Sequence, residues 1–401
     1  MRILARLMAI ILALLCPICR FSETDHLPAM QAAELSVGTE DAGSSIYSWD
    51  MYLFNENAFP ALSRVLTAYN IDRVYQAIPN VYFDSFEVSS LVKNCADMGI
   101  EVVALNGSPS WQNEGLSVYY QWIDALCAYN EAHPSEAIHA VALDVESHTL
   151  EQFKSNMKKG FADYVDLMWD ACQYAHARGL SVVQVIPTMF DKIDPARFEW
   201  FIRNCCDELS VMNYEKEGAV ENIRDEVSLC KQNGIRIESI FETMPISSQY
   251  RVTEKNTYYN VGEDALRAAA AELKSVYGPS LGLSYHYFST MFYLYTGSYL
   301  AEFYIYADPD NPLTDENSQI YVGESVQLEG ANGDLLTAWV YNPNRNIDRQ
   351  EYCYLAVGVY PDMNYQMKFE DDKFKVYSPK TINFSAEYGQ TAFTRAIGVR
   401  S

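Results

Sequence analysis

The chain is short of positive charge. It carries 29 lysines and arginines against 53 aspartates and glutamates, for a formal net charge of -24. Such a surface repels phosphate backbones and anionic bilayers, which argues against nucleic acid as a partner. Long apolar runs are scarce as well. Only residues 7–15, behind Arg2 and Arg6, form a continuous apolar stretch near the start. That arrangement reads as an export signal over residues 1–27, or as an uncleaved membrane anchor. No later segment of the sequence is long and apolar enough to span a bilayer. The expectation is a secreted or cell-surface protein of bacterial type, touching a membrane only through that N-terminal segment.

Cysteine patterning is also missing. Seven cysteines follow the signal, an odd number, with neither CxxC nor metal-ligand spacing. Cys95, Cys127, Cys172 and Cys230 fall on apolar faces of predicted helices, so they read as buried free thiols. The adjacent Cys205-Cys206 pair suggests no function. A glycine-rich phosphate loop is absent after the first predicted strand, which weighs against a nucleotide-binding sheet.

What is present is an ordinary globular composition, 49% apolar and 20% charged, over 401 residues. That length suits one large domain and a smaller one. A unit repeats from about residue 45: a helix ends in glycine and a strand follows. Gly99, Gly179 and Gly234 mark three copies, and Asn70 takes the same place in a fourth. Strands are expected near 45–50, 71–78, 100–106, 138–146, 180–187, 208–214, 235–242 and 281–288. Amphipathic stretches separate them. Asp194-Pro195 opens one helix as N-cap and first helical residue, the stretch 149–178 is expected to break near Gly160, and residues 263–276 make another helix. Eight strand-helix alternations predict a (β/α)8 barrel, a TIM barrel, at 45–303. Residues 308–318 read as a polar linker. The strand-like runs beyond them predict a small all-β sandwich domain at 315–401.

In such barrels the active site gathers at the carboxyl ends of the strands. There the chain offers Trp49 and Asp50, Gln76, Asn106 with Trp111 close behind, Asp144 and Glu146, Gln184, Asn213 and Tyr214, Glu242, and Tyr285, His286 and Tyr287. Aromatic faces stack on sugar rings and amides bind hydroxyls. No lysine or arginine stands at these ends, so a polysaccharide or other glycan fits better than a phosphate ester. Asp144 and Glu146 lie two apart directly after the run Ala140-Val-Ala-Leu143, which predicts that both leave one face of a buried strand. An acid pair there is costly unless it has chemistry to perform.

The segments Leu143-Asp144-Val-Glu146 and Met212-Asn213-Tyr214-Glu215 resemble the fourth- and sixth-strand motifs of family 18 glycoside hydrolases, the chitinase-like barrels. The resemblance implies Glu146 as general acid, Asp144 as its partner and Tyr214 as a contact to an acetamido group. It is partial: His139, Ala140 and Ala142 stand where that motif has Asp, Gly and Asp, and Glu215 replaces a final Asp. A second resemblance is to the large clan of barrels with glutamates on strands four and seven. It implies Glu146 as acid and Glu242 as nucleophile, although Val145 stands where that clan has Asn. Phe241-Glu242-Thr243, 257–262 and 285–287 further resemble uncharacterised bacterial secreted glycoside-hydrolase-like barrels. The expected activity is acid-assisted cleavage of a β-linked polysaccharide, N-acetylated if the family 18 resemblance holds, with no cofactor and no metal. Two alternatives stand beside it. One is a non-catalytic glycan-binding barrel. The other is a metal-dependent deacetylase or amidohydrolase using Asp144, Glu146, His148 and His286.

Overall fold

A computed structural model of the protein describes residues 41–307, 325–340, 351–360, 363–368, 374–376, 381–383 and 396–400. The expected signal and the linker at 308–318 lie outside the described residues. Eight parallel strands close into a barrel in sequence order: β1 Ser44–Ser48, β2 Ile71–Ala77, β3 Glu101–Asn106, β4 Ala140–Leu143, β5 Ser181–Pro187, β6 Glu208–Met212, β7 Arg236–Glu242 and β8 Leu281–His286. Closure runs through β1 and β8, with Ser44 opposite Leu283 and Tyr47 opposite His286. Among the described residues no helix is long and apolar enough to cross a membrane.

The glycine punctuation holds. Gly99, Gly179 and Gly234 take φ of 74°, 76° and 68°, and Asn70 takes 49° in the equivalent place. A left-handed residue there ends each helix and turns the chain into the next strand. Asp194 caps the helix Pro195–Cys205, accepting from the Arg197 N–H at 3.3 Å. The seven cysteines among the described residues are free, and all but Cys127 are buried.

Two local expectations are corrected. The long helical stretch breaks at Asn156, between Glu151–Ser155 and Met157–His176, and not at Gly160. The Asn156 side chain caps the second helix on the Lys159 N–H at 3.2 Å, whereas Gly160 lies inside it. Glycine is required there by packing: a Cβ would lie 2.7 Å from Phe153 Cγ and 2.8 Å from Phe153 Cα. Strand β4 is also shorter than 138–146, so Glu146 stands in the loop beyond it, just before the short 3-10 turn Ser147–Thr149.

Two cores follow from the barrel geometry. Val74, Val141, Val182, Leu209 and Ile237 face the helices. Tyr47, Tyr75, Val103, Leu105, Ala140, Ala142, Val183, Val185, Met212 and Ile240 fill the lumen. Below that filling is a polar layer. Buried Glu238 accepts from Ser45 Oγ at 2.9 Å and from Ser210 Oγ at 2.7 Å. Arg73 pairs with Glu208 and with Glu101. The lumen is thus plugged from its amino-terminal end, and a ligand reaches it only from the opposite mouth.

The all-β module is present. Its strands form one sheet in the order β14-β16-β9-β12-β11-β10-β13-β15. They are β9 Tyr299–Ala307, β10 Ser325–Gly330, β11 Leu335–Val340, β12 Glu351–Val359, β13 Asn364–Lys368, β14 Phe374–Val376, β15 Thr381–Asn383 and β16 Ala396–Arg400. Strand β9 starts inside the range assigned to the barrel, yet it pairs with β12 and β16. One face of the sheet wraps a core of Phe303, Val326, Leu328, Ala338, Tyr354 and Tyr365. Leu300, Leu355 and Val357, from the other face, join the barrel's outer core. The layering of a sandwich therefore comes from one wrapped sheet that leans on the barrel.

Gly160→Val tests the close helix contact. The clash is with backbone as well as ring, so it outweighs the few tenths of a kcal/mol of helix propensity gained. The expected loss is about 1–3 kcal/mol of unfolding free energy by urea denaturation. Unchanged stability would show that Gly160 is not held against Phe153.

Candidate active site at the barrel mouth

Strand alternation decides what points into the mouth. Asp144 continues β4, since its N–H donates to Asn106 O at 3.0 Å. It keeps the phase of Ala140 and Ala142 and so faces the lumen. Glu242 shares the phase of Glu238 and Ile240, and His286 that of Gly282 and Ser284. Tyr214 and Tyr287 pack against the upper edge of the lumen core. The rings of Tyr214 and His286 stack at 6.2 Å between centroids, and His286 lies 5.6 Å from Tyr287 and 6.1 Å from Tyr47.

One hydrogen-bonded chain crosses the mouth. Trp49 Nε1 donates to His286 Nε2 at 3.1 Å. His286 Nδ1 stands 3.1 Å and 3.3 Å from the two oxygens of Glu242. Glu242 Oε1 also accepts from the Met244 N–H at 2.8 Å. Glu242 is only 3% exposed, so its carboxylate is enclosed and fully engaged.

Asp144 is provisioned differently. Its Oδ1 is enclosed without a hydrogen-bond partner among the described residues. Burial, then the charge of Glu146, pushes the Asp144 carboxyl up to about 7, against a smaller pull from His286. Glu146 is also raised, by burial first and by Glu242, with His286 opposing. Burial, then Glu242, Asp144 and Glu146, holds the Tyr214 phenol well above its ordinary value, so it remains a hydrogen-bond donor. The four predicted catalytic side chains therefore sit close enough for their charges to act on one another. Near neutral pH the Asp144-Glu146 pair holds a proton that isolated carboxylates would have lost.

The expected binding residues divide into two groups. Trp49, 38% exposed, Asp50, His286 and Tyr287 border the mouth. Asp50 accepts from Ser289 Oγ at 2.7 Å, and burial raises its carboxyl to about 6. The others face away from the lumen. Gln76 is fully buried, and its Nε2 stands 3.1 Å from Ser48 O and 3.0 Å from Asp50 O. Gln184 Nε2 donates to Cys205 O at 3.0 Å. Asn213 Nδ2 donates to Ala219 O at 2.8 Å, and Asn106 Oδ1 accepts from the Gly107 N–H at 2.8 Å. Trp111 and Tyr285 belong to the outer core. The structure places these six in the barrel wall or its loops, outside the hydrogen-bonded chain at the mouth. Each is in the opposite strand phase to the lumen set, or beyond its strand, and each is used by backbone or core.

The metal alternative finds little material. Among the described residues no group of three histidines, cysteines or carboxylates stands in metal-holding geometry. His148 Nδ1 is enclosed without a hydrogen bond, and burial, then Lys154, lowers its pKa to about 4.

Gly107 was missed by sequence reasoning. A Cβ at that position would lie 1.9 Å from Asp144 O and 2.3 Å from Asp144 C. Only glycine lets the chain after β3 pass so close to the carboxylate-bearing loop. The signal was available in Asn106-Gly107, directly after a predicted strand.

No family model matches the chain, and no curated protein matches it. Solved structures do. A GH18 chitinase from Pseudoalteromonas aurantia is 11% identical, covering 61% of this chain and 93% of its own, with a TM-score of 0.41. Catalytic domain 2 of an Ostrinia furnacalis Group II chitinase is 10% identical, covering 64% and 92%, at 0.40. A D-psicose 3-epimerase from Clostridium cellulolyticum H10 is 12% identical, covering 62% and 85%, at 0.38.

Carboxyl titration by 13C NMR checks the coupling. Asp144 is expected to titrate at about 7 in the wild type. In Glu146→Gln it should titrate lower, because the neighbouring charge is gone, yet above an ordinary aspartate, because burial remains. An Asp144 pKa unmoved by that change would contradict the coupling.

Proposed function

We propose that the protein is a glycoside hydrolase of a β-linked, N-acetylated polysaccharide, with Glu146 as general acid and Asp144 as its partner. One observation carries this reading: two raised carboxyls at an otherwise plugged lumen, Asp144 by burial and the charge of Glu146, Glu146 by burial and the charge of Glu242, beside a protonated phenol. A general acid must hold its proton near working pH, and burial beside a second carboxylate achieves that. Glu146 gives its proton to the leaving glycosidic oxygen as the bond to the anomeric carbon breaks. The substrate's acetamido oxygen closes onto that carbon, oriented by Asp144 and by a hydrogen bond from Tyr214. Water then opens the cyclic intermediate, and the Glu146 carboxylate takes its proton.

The competing route would use Glu242 as nucleophile. Against it stands the enclosure of Glu242, which is 3% exposed with both oxygens facing His286 and one on a backbone N–H. A nucleophile must reach the anomeric carbon, and Asp144 and Glu146 are the more accessible carboxyls.

Hydrolysis of β-linked N-acetylglucosamine oligosaccharides tests the proposal. Glu146→Gln should lower kcat/KM by at least about 100-fold. The de-acetylated oligosaccharide should resist cleavage, since it lacks the internal nucleophile. The wild-type rate should fall as pH rises past about 7, where the pair loses its last proton. Activity that survives Glu146→Gln would remove Glu146 as the acid. Cleavage of the de-acetylated substrate would return the role of nucleophile to Glu242. Binding without cleavage by the wild type would leave a glycan-binding barrel.

A further inference from the structure

The indole of Trp49 can hydrogen-bond only one state of the ring it touches. An indole N–H only donates, so His286 Nε2 must accept and carry no proton. In the bonded arrangement the imidazole is neutral, with its proton on Nδ1 and donated to Glu242. Glu242 is fixed in turn by the Met244 N–H. Trp49 is 38% exposed at the lip, and Gln76 Nε2 ties down Ser48 O and Asp50 O on either side of it.

We propose that Trp49 is a sugar-stacking platform held in place by the neutral imidazole of His286, with Glu242 as the residue that positions that imidazole; this rests on reading the mouth as a glycan site. Protonating His286 puts a hydrogen on Nε2 that faces the indole N–H. Two donors then oppose each other, and the platform is released. Glycan affinity therefore rises as pH rises through the His286 titration, while the proton supply of the Asp144-Glu146 pair falls.

The groups around His286 come from four strands. Glu242 hydrogen-bonds it from β7, Asp144 and Glu146 act on it from the loop after β4, and Tyr214 faces it after β6. Tyr47 from β1 and the adjacent Tyr287 complete the shell. Burial lowers the His286 pKa, but Glu242, by charge and hydrogen bond, and then Asp144 and Glu146 raise it by more. The release point therefore lies above the ordinary imidazole value. As Asp144 and Glu146 take up protons, part of that push is lost, so the two titrations are linked.

Two measurements test the proposal. In the ligand-free wild type, the 15N–1H resonance of the Trp49 indole, assigned by its loss in Trp49→Phe, should move with the His286 ring signals across one pH titration. Binding of the β-linked N-acetylglucosamine tetramer is then measured in Glu146→Gln, which limits turnover. Its Kd should rise about two- to tenfold as pH falls through that titration, the worth of one net hydrogen bond. With Trp49→Phe added, the ring face remains but the N–H is gone, and the Kd should become independent of His286. An indole signal that ignores His286 overturns the hold on Trp49 and leaves the glycan reading intact. A Kd whose pH dependence survives Trp49→Phe overturns the platform role. An indole that follows His286 in a protein binding no glycan overturns the platform and the glycan reading together.

Discussion

The structure depends on one costly arrangement: two carboxyl groups, Asp144 and Glu146, close together at the open mouth of a barrel lumen that is plugged at its other end. Removing a carboxylate from water is unfavourable, and a second negative charge beside it adds to the penalty. Asp144 Oδ1 lacks even a hydrogen-bond partner among the described residues. A fold selected for stability alone would satisfy that oxygen or replace it. Retaining it means holding a proton near neutral pH, which is the property an acid catalyst requires.

Much of the surrounding barrel serves to keep that pair in place. The polar plug of Arg73, Glu208 and Glu238 closes the amino-terminal end, so one mouth remains. Gly107 gives the loop after β3 room to lie against the Asp144 backbone. Glu242 engages His286, and His286 engages Trp49, which links β7, β8 and β1 across the opening. The side-chain amides work from behind: Gln76 braces the carbonyls flanking Trp49, and Asn213 braces the loop that follows Tyr214. The second sheet leans on the barrel's outer core through Leu300, Leu355 and Val357, and the charge of Glu302 on β9 acts on Asp50 at the mouth.

Much of this was legible in the sequence, for identifiable reasons. Gly99, Gly179, Gly234 and Asn70 announce helix ends because few residues tolerate positive φ, and they located the strands that follow. The inward carboxylates were legible because charge on an apolar strand is conspicuous. Strand phase was harder to read. Barrel strands are buried on both faces, so no polar-apolar alternation marks which side is lumen. Gln76, Gln184 and Asn213 consequently looked like sugar ligands, although they face the helices. Trp111 lies in the outer core for a related reason, since an aromatic near a strand end serves a core as readily as a cleft. Strand β9 escaped notice because Tyr299–Ala307 follows the last barrel helix with little warning; its pairing with β12 and β16, distant in sequence, assigns it to the second sheet. The break at Asn156 and the need for Gly107 depend on tertiary contacts that no local pattern encodes.

The central claim is that Asp144 and Glu146 flank the scissile bond. The most direct test is a crystal structure of Glu146→Gln soaked with a β-linked N-acetylglucosamine oligosaccharide. The account predicts a glycosidic oxygen within hydrogen-bond reach of residue 146, an acetamido group between Asp144 and Tyr214, and a sugar ring on the Trp49 indole. A glycan bound away from the lumen mouth, or one with its anomeric carbon presented to Glu242, would contradict it.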